Sequence, residues 1–226
     1  MWKTAIVATC LFGATVSAQV PLWTPPRLET GTPPELPALA IGAAQVFIEL
    51  SINPTGEVTN LATLRTTPRH TEFVRNAALR WRFKPATVTE RRTDGLPPTP
   101  KPVASKALVA AIFRSPSLLG PTQGEVPKDM GSPSVDVALP VATVDPTYPA
   151  ASLEKGVVMI EALVNEKGLV TEAKVTRSSS PAFGAAALAA ARQWRFRPAR
   201  VAGRAVATYA YLIFGFPQPV TGGDRH

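Results

Sequence analysis

The sequence predicts an α+β protein of two tandem small domains, each a three-stranded antiparallel sheet with a helix packed on one face. Three observations predict it. A block of residues recurs at an offset of 112 or 113, each copy opens on an alternating apolar strand, and each carries a helical apolar stripe ahead of a Trp-Arg-Phe block.

The repeat is plainest at Trp81-Arg82-Phe83-Lys84-Pro85-Ala86, which returns as Trp194-Arg195-Phe196-Arg197-Pro198-Ala199. Upstream, Asn53-Pro54-Thr55-Gly56-Glu57-Val58-Thr59 returns as Asn165-Glu166-Lys167-Gly168-Leu169-Val170-Thr171. Between these blocks one inserted residue reconciles the two offsets.

Each copy begins with a hairpin. Val46, Ile48, Leu50 and Ile52 alternate with Phe47, Glu49 and Ser51, and the second copy places Val158, Ile160, Ala162 and Val164 at the same positions. The Asn-x-x-Gly that follows supplies a tight turn, with glycine taking the positive φ. Second strands over 58–65 and 170–177 complete the hairpins.

A helix comes next. Phe183, Ala187, Ala190 and Trp194 fall on one helical face, behind Ser180 as N-cap and Pro181 at the first helical position. Val74, Ala77 and Trp81 form the equivalent stripe after Thr67-Pro68, and Pro85 and Pro198 are expected to stop the helices. Last strands are expected over 103–113 and 205–216, the first reached through a proline-rich loop over 89–102.

Composition bounds what surrounds these copies. Proline is frequent, at 24 of 226 residues, and clustered over 19–37 and 115–140, which reads as extended connector. The expected division is 1–18 leader, 19–40 proline-rich segment, 41–114 first domain, 115–142 linker, 143–217 second domain and 218–226 tail. The leader has a charged head at Lys3, an apolar run over 5–16 and small residues at Ser17-Ala18, the pattern of a cleavable secretory signal. Export to the periplasm is therefore expected, ahead of an uncleaved inner-membrane anchor, for which the run is short.

The one cysteine, Cys10, lies in that run after Thr9, a poor lipidation context. Neither disulfide nor thiol chemistry is expected beyond it. With His70 and His226 as the only histidines, no metal site is expected, and His70 is placed at the start of the first helix without a ligand role. The sequence has no phosphate loop and no nucleophile–histidine setting, so neither an enzyme nor a bound cofactor is expected. Formal charge is +8. In an exported protein this points away from nucleic acid, leaving either a merely solvated basic surface or one that meets anionic wall polymer, lipid headgroups or acidic partner loops.

Tyr148-Pro149, Gly156, Asn165-Glu166-Lys167-Gly168-Leu169-Val170, Phe183, Leu188 and 194–199 together resemble the TonB C-terminal domain family. The resemblance covers 145–216 almost continuously, and 42–113 more weakly, since the first copy lacks the Tyr-Pro element. It implies a module that binds a short extended peptide, the TonB box of an outer-membrane TonB-dependent receptor, by strand addition. Carried over, the docking edge is 205–214, with Val206, Thr208, Tyr209, Tyr211 and Ile213, and the segment near the peptide holds Asp145, Pro146, Tyr148 and Pro149. Two departures from a full energy transducer stand out: a leader in place of an anchor, and a proline stretch that at about 3.1 Å per residue reaches under roughly 60 Å.

Alternatives stay open at several residues. Tyr148-Pro149 serves function or packs the entry to the second domain, and Tyr209 and Tyr211 flank a peptide or cover the sheet. Trp81, Phe83, Trp194 and Phe196 are expected in the core, with Arg82, Lys84, Arg195 and Arg197 on the solvated face. Glu154 and Glu161 read as ordinary surface carboxylates. Beside the receptor-binding module stand a cell-wall-associated basic scaffold holding peptidoglycan, and a structural protein whose copies pair edge strands within the chain or as a homodimer.

Overall fold

The computed structural model describes residues 22–35, 43–89, 97–113, 122–124, 126, 130–149 and 154–217. The expected leader with Cys10, much of the first copy's proline loop, the start of the linker and the tail with His226 lie outside the described residues.

The first half runs β1 (Leu22–Thr24), β2 (Arg27–Thr30), β3 (Ala44–Ile52), β4 (Val58–Arg65), α1 (His70–Ala78), β5 (Arg82–Lys84), β6 (Ala86–Thr89), β7 (Pro100–Val103) and β8 (Ser105–Phe113). The second runs β9 (Thr122–Gly124), β10 (Leu139–Asp145), β11 (Gly156–Val164), β12 (Val170–Ser178), α2 (Pro181–Ala191), β13 (Arg195–Arg197), β14 (Ala199–Val201), β15 (Arg204–Val206) and β16 (Thr208–Phe216). The protein is thus mixed α+β and dominated by strands.

The repeated local chemistry forms as its residues dictate. Asn53 Oδ1 accepts the Thr55 and Glu57 N–H groups at 3.0 and 2.9 Å, and Asn165 Oδ1 accepts those of Lys167 and Leu169 at 2.9 and 3.0 Å. These are Asx-type turns, closed by Gly56 at φ 86° and Gly168 at φ 76°. At α2, Ser180 Oγ accepts the Phe183 N–H at 3.3 Å, with Pro181 in the first turn.

One helix start differs from its repeat counterpart, and one expectation about the helices needs correction. The start of α1 has no side-chain cap: Arg69 sits there at φ 70°, and Thr67 Oγ1 instead donates to the Gln45 carbonyl at 2.9 Å, fastening the helix entry to β3. Nor do Pro85 and Pro198 stop the helices. Both helices end earlier, and Arg82–Lys84 and Arg195–Arg197 are strands held by Phe83 N–H to Gly56 O (2.8 Å) and Phe196 N–H to Gly168 O (2.9 Å).

The two halves do not form separate sheets. Strands run β12-β11-β16-β8-β3-β4 in one six-stranded sheet, with β16 and β8 parallel from Ala210↔Leu108 to Gly215↔Phe113. Within each half the strands are antiparallel, as expected. The physical reason for the fusion is that each last strand is apolar and otherwise an edge; joining them pairs both rows of backbone donors and acceptors.

Strand alternation separates the two faces of this sheet. One face carries Phe47, Leu108, Ile112, Ile160, Leu212 and Phe214 together with Phe183, Ala187 and Ala190 of α2. The other carries Ile48, Leu50, Val109, Met159, Tyr211 and Ile213 together with Val74 and Ala78 of α1. The helices therefore lie on opposite faces. Parallel central strands with helices on opposite faces define a half-turn about an axis running along the strands, between β8 and β16.

The supposed connectors finish the core. In the 19–40 segment, β1 pairs with β6 and β2 with β5; in the 115–142 segment, β10 pairs with β13, and Val137, Ala138 and Leu139 are buried. Each segment crosses to the other half. Arg27 Nη2 meets Glu161 Oε1 at 2.9 Å, while the Ser134 N–H meets Glu49 Oε2 at 2.8 Å and Lys106 Nζ meets Glu49 Oε1 at 2.8 Å. Glu49 and Glu161 occupy equivalent repeat positions, and both are only 6% exposed. Glu161 is therefore no ordinary surface carboxylate: a buried carboxylate needs a paired charge, and Arg27 supplies it. Glu154, by contrast, is exposed.

One exception to the repeat yields a prediction. At offset 113, His70 stands where Phe183 stands in the second half. Phe183 stacks on Phe216 at 4.5 Å, and His70 packs against Phe113 at 4.9 Å. Burial lowers the His70 pKa from its ordinary 6.5, with the Pro68 backbone opposing in part, and neither ring nitrogen has a hydrogen-bond partner among the described residues. The unfolded chain therefore binds the proton first, so this contribution is complete above about pH 6.5 and lost as pH falls through the lowered folded value. His70→Phe is expected to raise stability by about 1 kcal/mol at neutral pH and more in acid. Urea unfolding at pH 5 and pH 7.5 checks it; an unchanged difference between the two pH values would rule out His70 as a source of acid lability.

Candidate peptide-docking site

The residues expected to dock a peptide divide into two places. Val206 ends β15, and Thr208, Tyr209, Tyr211 and Ile213 lie on β16. Asp145 ends β10, followed by Pro146, Tyr148 and Pro149.

The β16 edge is already filled. It pairs with β11 along its length on one side, and with β8 over Ala210–Gly215 on the other. A strand can join there only if the halves part, which would expose both faces of a shared core. Tyr211 and Ile213 are fully buried in that core. Tyr211 meets Trp81 and Phe83 edge-on at 5.7 and 5.5 Å, and its hydroxyl accepts the Leu28 N–H at 2.7 Å. Burial, then the Glu161 charge, push its pKa far up, so the phenol stays neutral. Tyr209 is half-buried under the Arg27 guanidinium, 5.3 Å from its ring centre. Of the two roles weighed for these tyrosines, the geometry is that of covering the sheet. Thr208 is buried and Val206 half-buried.

The outer edges carry no further strand among the described residues and are blunted: on β4 the Gly131 N–H and the Arg75 guanidinium already donate to the Leu64 and Leu61 carbonyls. β12 slips register between Met159 and Ile160 and again between Leu163 and Val164, leaving Thr176 and Thr171 unopposed, and β4 slips at the equivalent places. Bulges and the exposed Glu172, Lys174 and Arg177 discourage further pairing.

At the second place, Tyr148 is 2% exposed and packs edge-on to Phe183 at 5.7 Å and against Phe216 at 6.1 Å, with its hydroxyl donating to the Glu154 carbonyl. It closes the gap between α2 and β16. Pro146 and Pro149 are half-buried, and Asp145 is 5% exposed. The indole of Trp194 donates to the Val144 carbonyl at 2.9 Å, as Trp81 donates to Thr32 at the equivalent position. Both tryptophans are buried core residues that anchor the leading segments.

Beside Asp145 lies a feature with no sequence signal. Strand β9 adds to β10, pairing Thr122, Gln123 and Gly124 with Asp145, Val144 and Thr143. A Cβ at Gly124 would come within 2.1 Å of Thr143 Oγ1 and 3.1 Å of its Cβ, so a side chain there forces Thr143 to shift. Thr143 is fully buried, and its hydroxyl has no partner among the described residues.

Residues 144–216 match the family described as Gram-negative bacterial TonB protein C-terminal. The TonB-like segment thus runs from the end of β10 to the end of β16, the second half of the chain. No curated protein matches the chain. Among the described residues, no helix is long and apolar enough to cross a membrane.

Proposed function

We propose that this is a periplasmic TonB-like protein that binds an extended, TonB-box-like segment of an outer-membrane transporter by strand addition, in energy transduction or transport. The secretory pattern of 1–18 supports export to that compartment, and the recurring residue blocks support reading the first half as a degenerate copy of the TonB-like second. The family match supports the class of partner. The observation that carries the docking position is β9: an extended stretch of the chain itself lies on β10 at Thr143–Asp145. Main-chain pairing supplies affinity in such a mode, and side-chain fit supplies selectivity.

The incoming segment replaces β9, with glycine or a bend opposite Thr143. Three residues make few hydrogen bonds, and each contributes about 1 kcal/mol net, so displacement is within reach of a peptide. The seam favours a second reading, in which the first half serves to close the second half's edge and the protein is structural.

Backbone amide shifts during titration of labelled residues 19–226 with TonB-box peptides separate the two. Docking predicts shifts at Thr143–Asp145 and Thr122–Gly124, with 210–215 undisturbed. Gly124→Val, which expels β9, is expected to tighten binding up to about tenfold by emptying the site. Absence of shifts at millimolar peptide in both forms would leave the structural reading.

A further inference from the structure

The pairing of the halves gathers charge at one end of the sheet. Strand β3 runs into the Asn53–Glu57 turn and β11 into the Asn165–Leu169 turn. Strand β8 starts at Ser105 opposite Ile52, and β16 starts at Thr208 opposite Val164. Because β8 and β16 are parallel, both turns lie at the same end, with the hairpins β6–β7 and β14–β15 that feed those strands. Strands β5 and β13 are bonded to the same two turns.

This end is basic on both sides of the axis. Arg82 and Lys84 from the first half, and Arg195, Arg200 and Arg204 from the second, are all exposed. None has an ion-pair partner among the described residues. Glu57 and Glu166 on the turns, Glu29 on β2 beside β5 and Asp136 next to Val135 offset part of the charge, and Lys167 on the second turn adds to it. Apolar side chains stand among the cations: Leu22 beside β6 is 69% exposed, Val135 beside Arg200 is 55% exposed, and Leu169 on the second turn is 37% exposed. These cations lie on the short strands β5, β13, β14 and β15 that flank the two turns, on both sides of the axis.

We infer that this end of the sheet is a docking surface for an anionic phospholipid bilayer. Cations in the headgroup layer with isolated apolar side chains at the boundary is the chemistry of peripheral membrane attachment. A soluble polyanion would satisfy the charges and make no use of Leu22 and Val135. The inference does not depend on peptide docking, which uses the β10 edge.

Co-sedimentation of residues 19–226, which keep every described element and omit the apolar 5–16 run, with vesicles tests it. The vesicles are pure phosphatidylcholine, or phosphatidylcholine with about a third phosphatidylglycerol, a composition in the anionic range. Binding is expected to the anionic vesicles alone and to fall steeply with added salt. Each basic side chain contributes about fivefold, so Arg195→Ser/Arg200→Ser/Arg204→Ser should weaken binding on the order of a hundredfold. Arg69→Ser/Lys155→Ser/Arg177→Ser, which removes the same charge at the opposite end, should bind nearly as the parent does. Leu22→Ser/Val135→Ser should weaken vesicle binding several-fold while leaving binding to soluble polyglutamate unchanged. Equal loss in the two triple variants, no binding to anionic vesicles at low salt, or indifference to the apolar pair would each overturn the proposal, the last in favour of an anionic polymer.

Discussion

Tyr211→Ala is expected to destabilise the protein by about 3–5 kcal/mol, the range for deleting a fully buried aromatic ring. The side chain belongs to the second half, yet its ring packs on Trp81 and Phe83 of the first, and its hydroxyl receives the Leu28 N–H. The loss should therefore fall on the union of the halves. The parent is expected to unfold in one transition, because cores on both faces include residues of both halves. In the variant, probes in the two halves should separate. Tyr211→Phe keeps the ring and removes only the acceptor, so its cost should be nearer 1–2 kcal/mol. Urea unfolding followed by tryptophan fluorescence in single-tryptophan forms retaining Trp81 or Trp194 measures both. A full-sized loss with coincident transitions would show that Tyr211 stabilises the whole without joining the halves.

Gly168→Ala should cost about 3 kcal/mol or more, although it adds only one methyl group to a surface turn. Gly168 sits at φ 76°, a conformation an L-residue adopts at a cost of about 1–2 kcal/mol. The added carbon would also stand 1.8 Å from the Phe196 carbonyl oxygen, so the strand carrying the second Trp-Arg-Phe block must retreat. Phe196 is core and Arg195 belongs to the basic end, so one change should lower both stability and attachment to anionic vesicles. Gly203→Ala is the control. It too has positive φ (77°), but open space surrounds its missing Cβ, so only the conformational part should appear. Equal melting temperatures for the two variants would mean that the close approach at Phe196 carries no weight.

How far the site could be read beforehand differs between its two places. The Tyr148 environment was partly legible, since an aromatic next to proline ahead of an apolar strand fits both an entry anchor and a contact, and the anchor geometry holds. Strand β9 was not legible: Thr122-Gln123-Gly124 is three polar or small residues in a segment rich in proline, with no alternation to mark it. Its pairing depends on where β10 leaves an edge. The burial of Glu161 was equally hidden, because a carboxylate in an alternating strand reads as solvent-facing until Arg27, 134 residues away, is placed over it.

By itself the sequence determined the local units: two Asn-x-x-Gly hairpins, two helices, the buried Trp-x-Phe pairs with Arg82, Lys84 and Arg195 outward, and the TonB-like character of 144–216; Arg197, expected on the solvated face, is instead half-buried and donates to the Ser134 carbonyl at 2.7 Å. Those signals are short in range, carried by turn geometry, side-chain period and spacing within about a hundred residues. Tertiary structure alone decided that β8 and β16 join in parallel, that the helices take opposite faces, and that the proline-rich segments cross over to seal Glu49 and Glu161. No local pattern encodes those choices. They follow from pairing two apolar edge strands and burying two sheet faces at once, a balance that exists only when both halves are present.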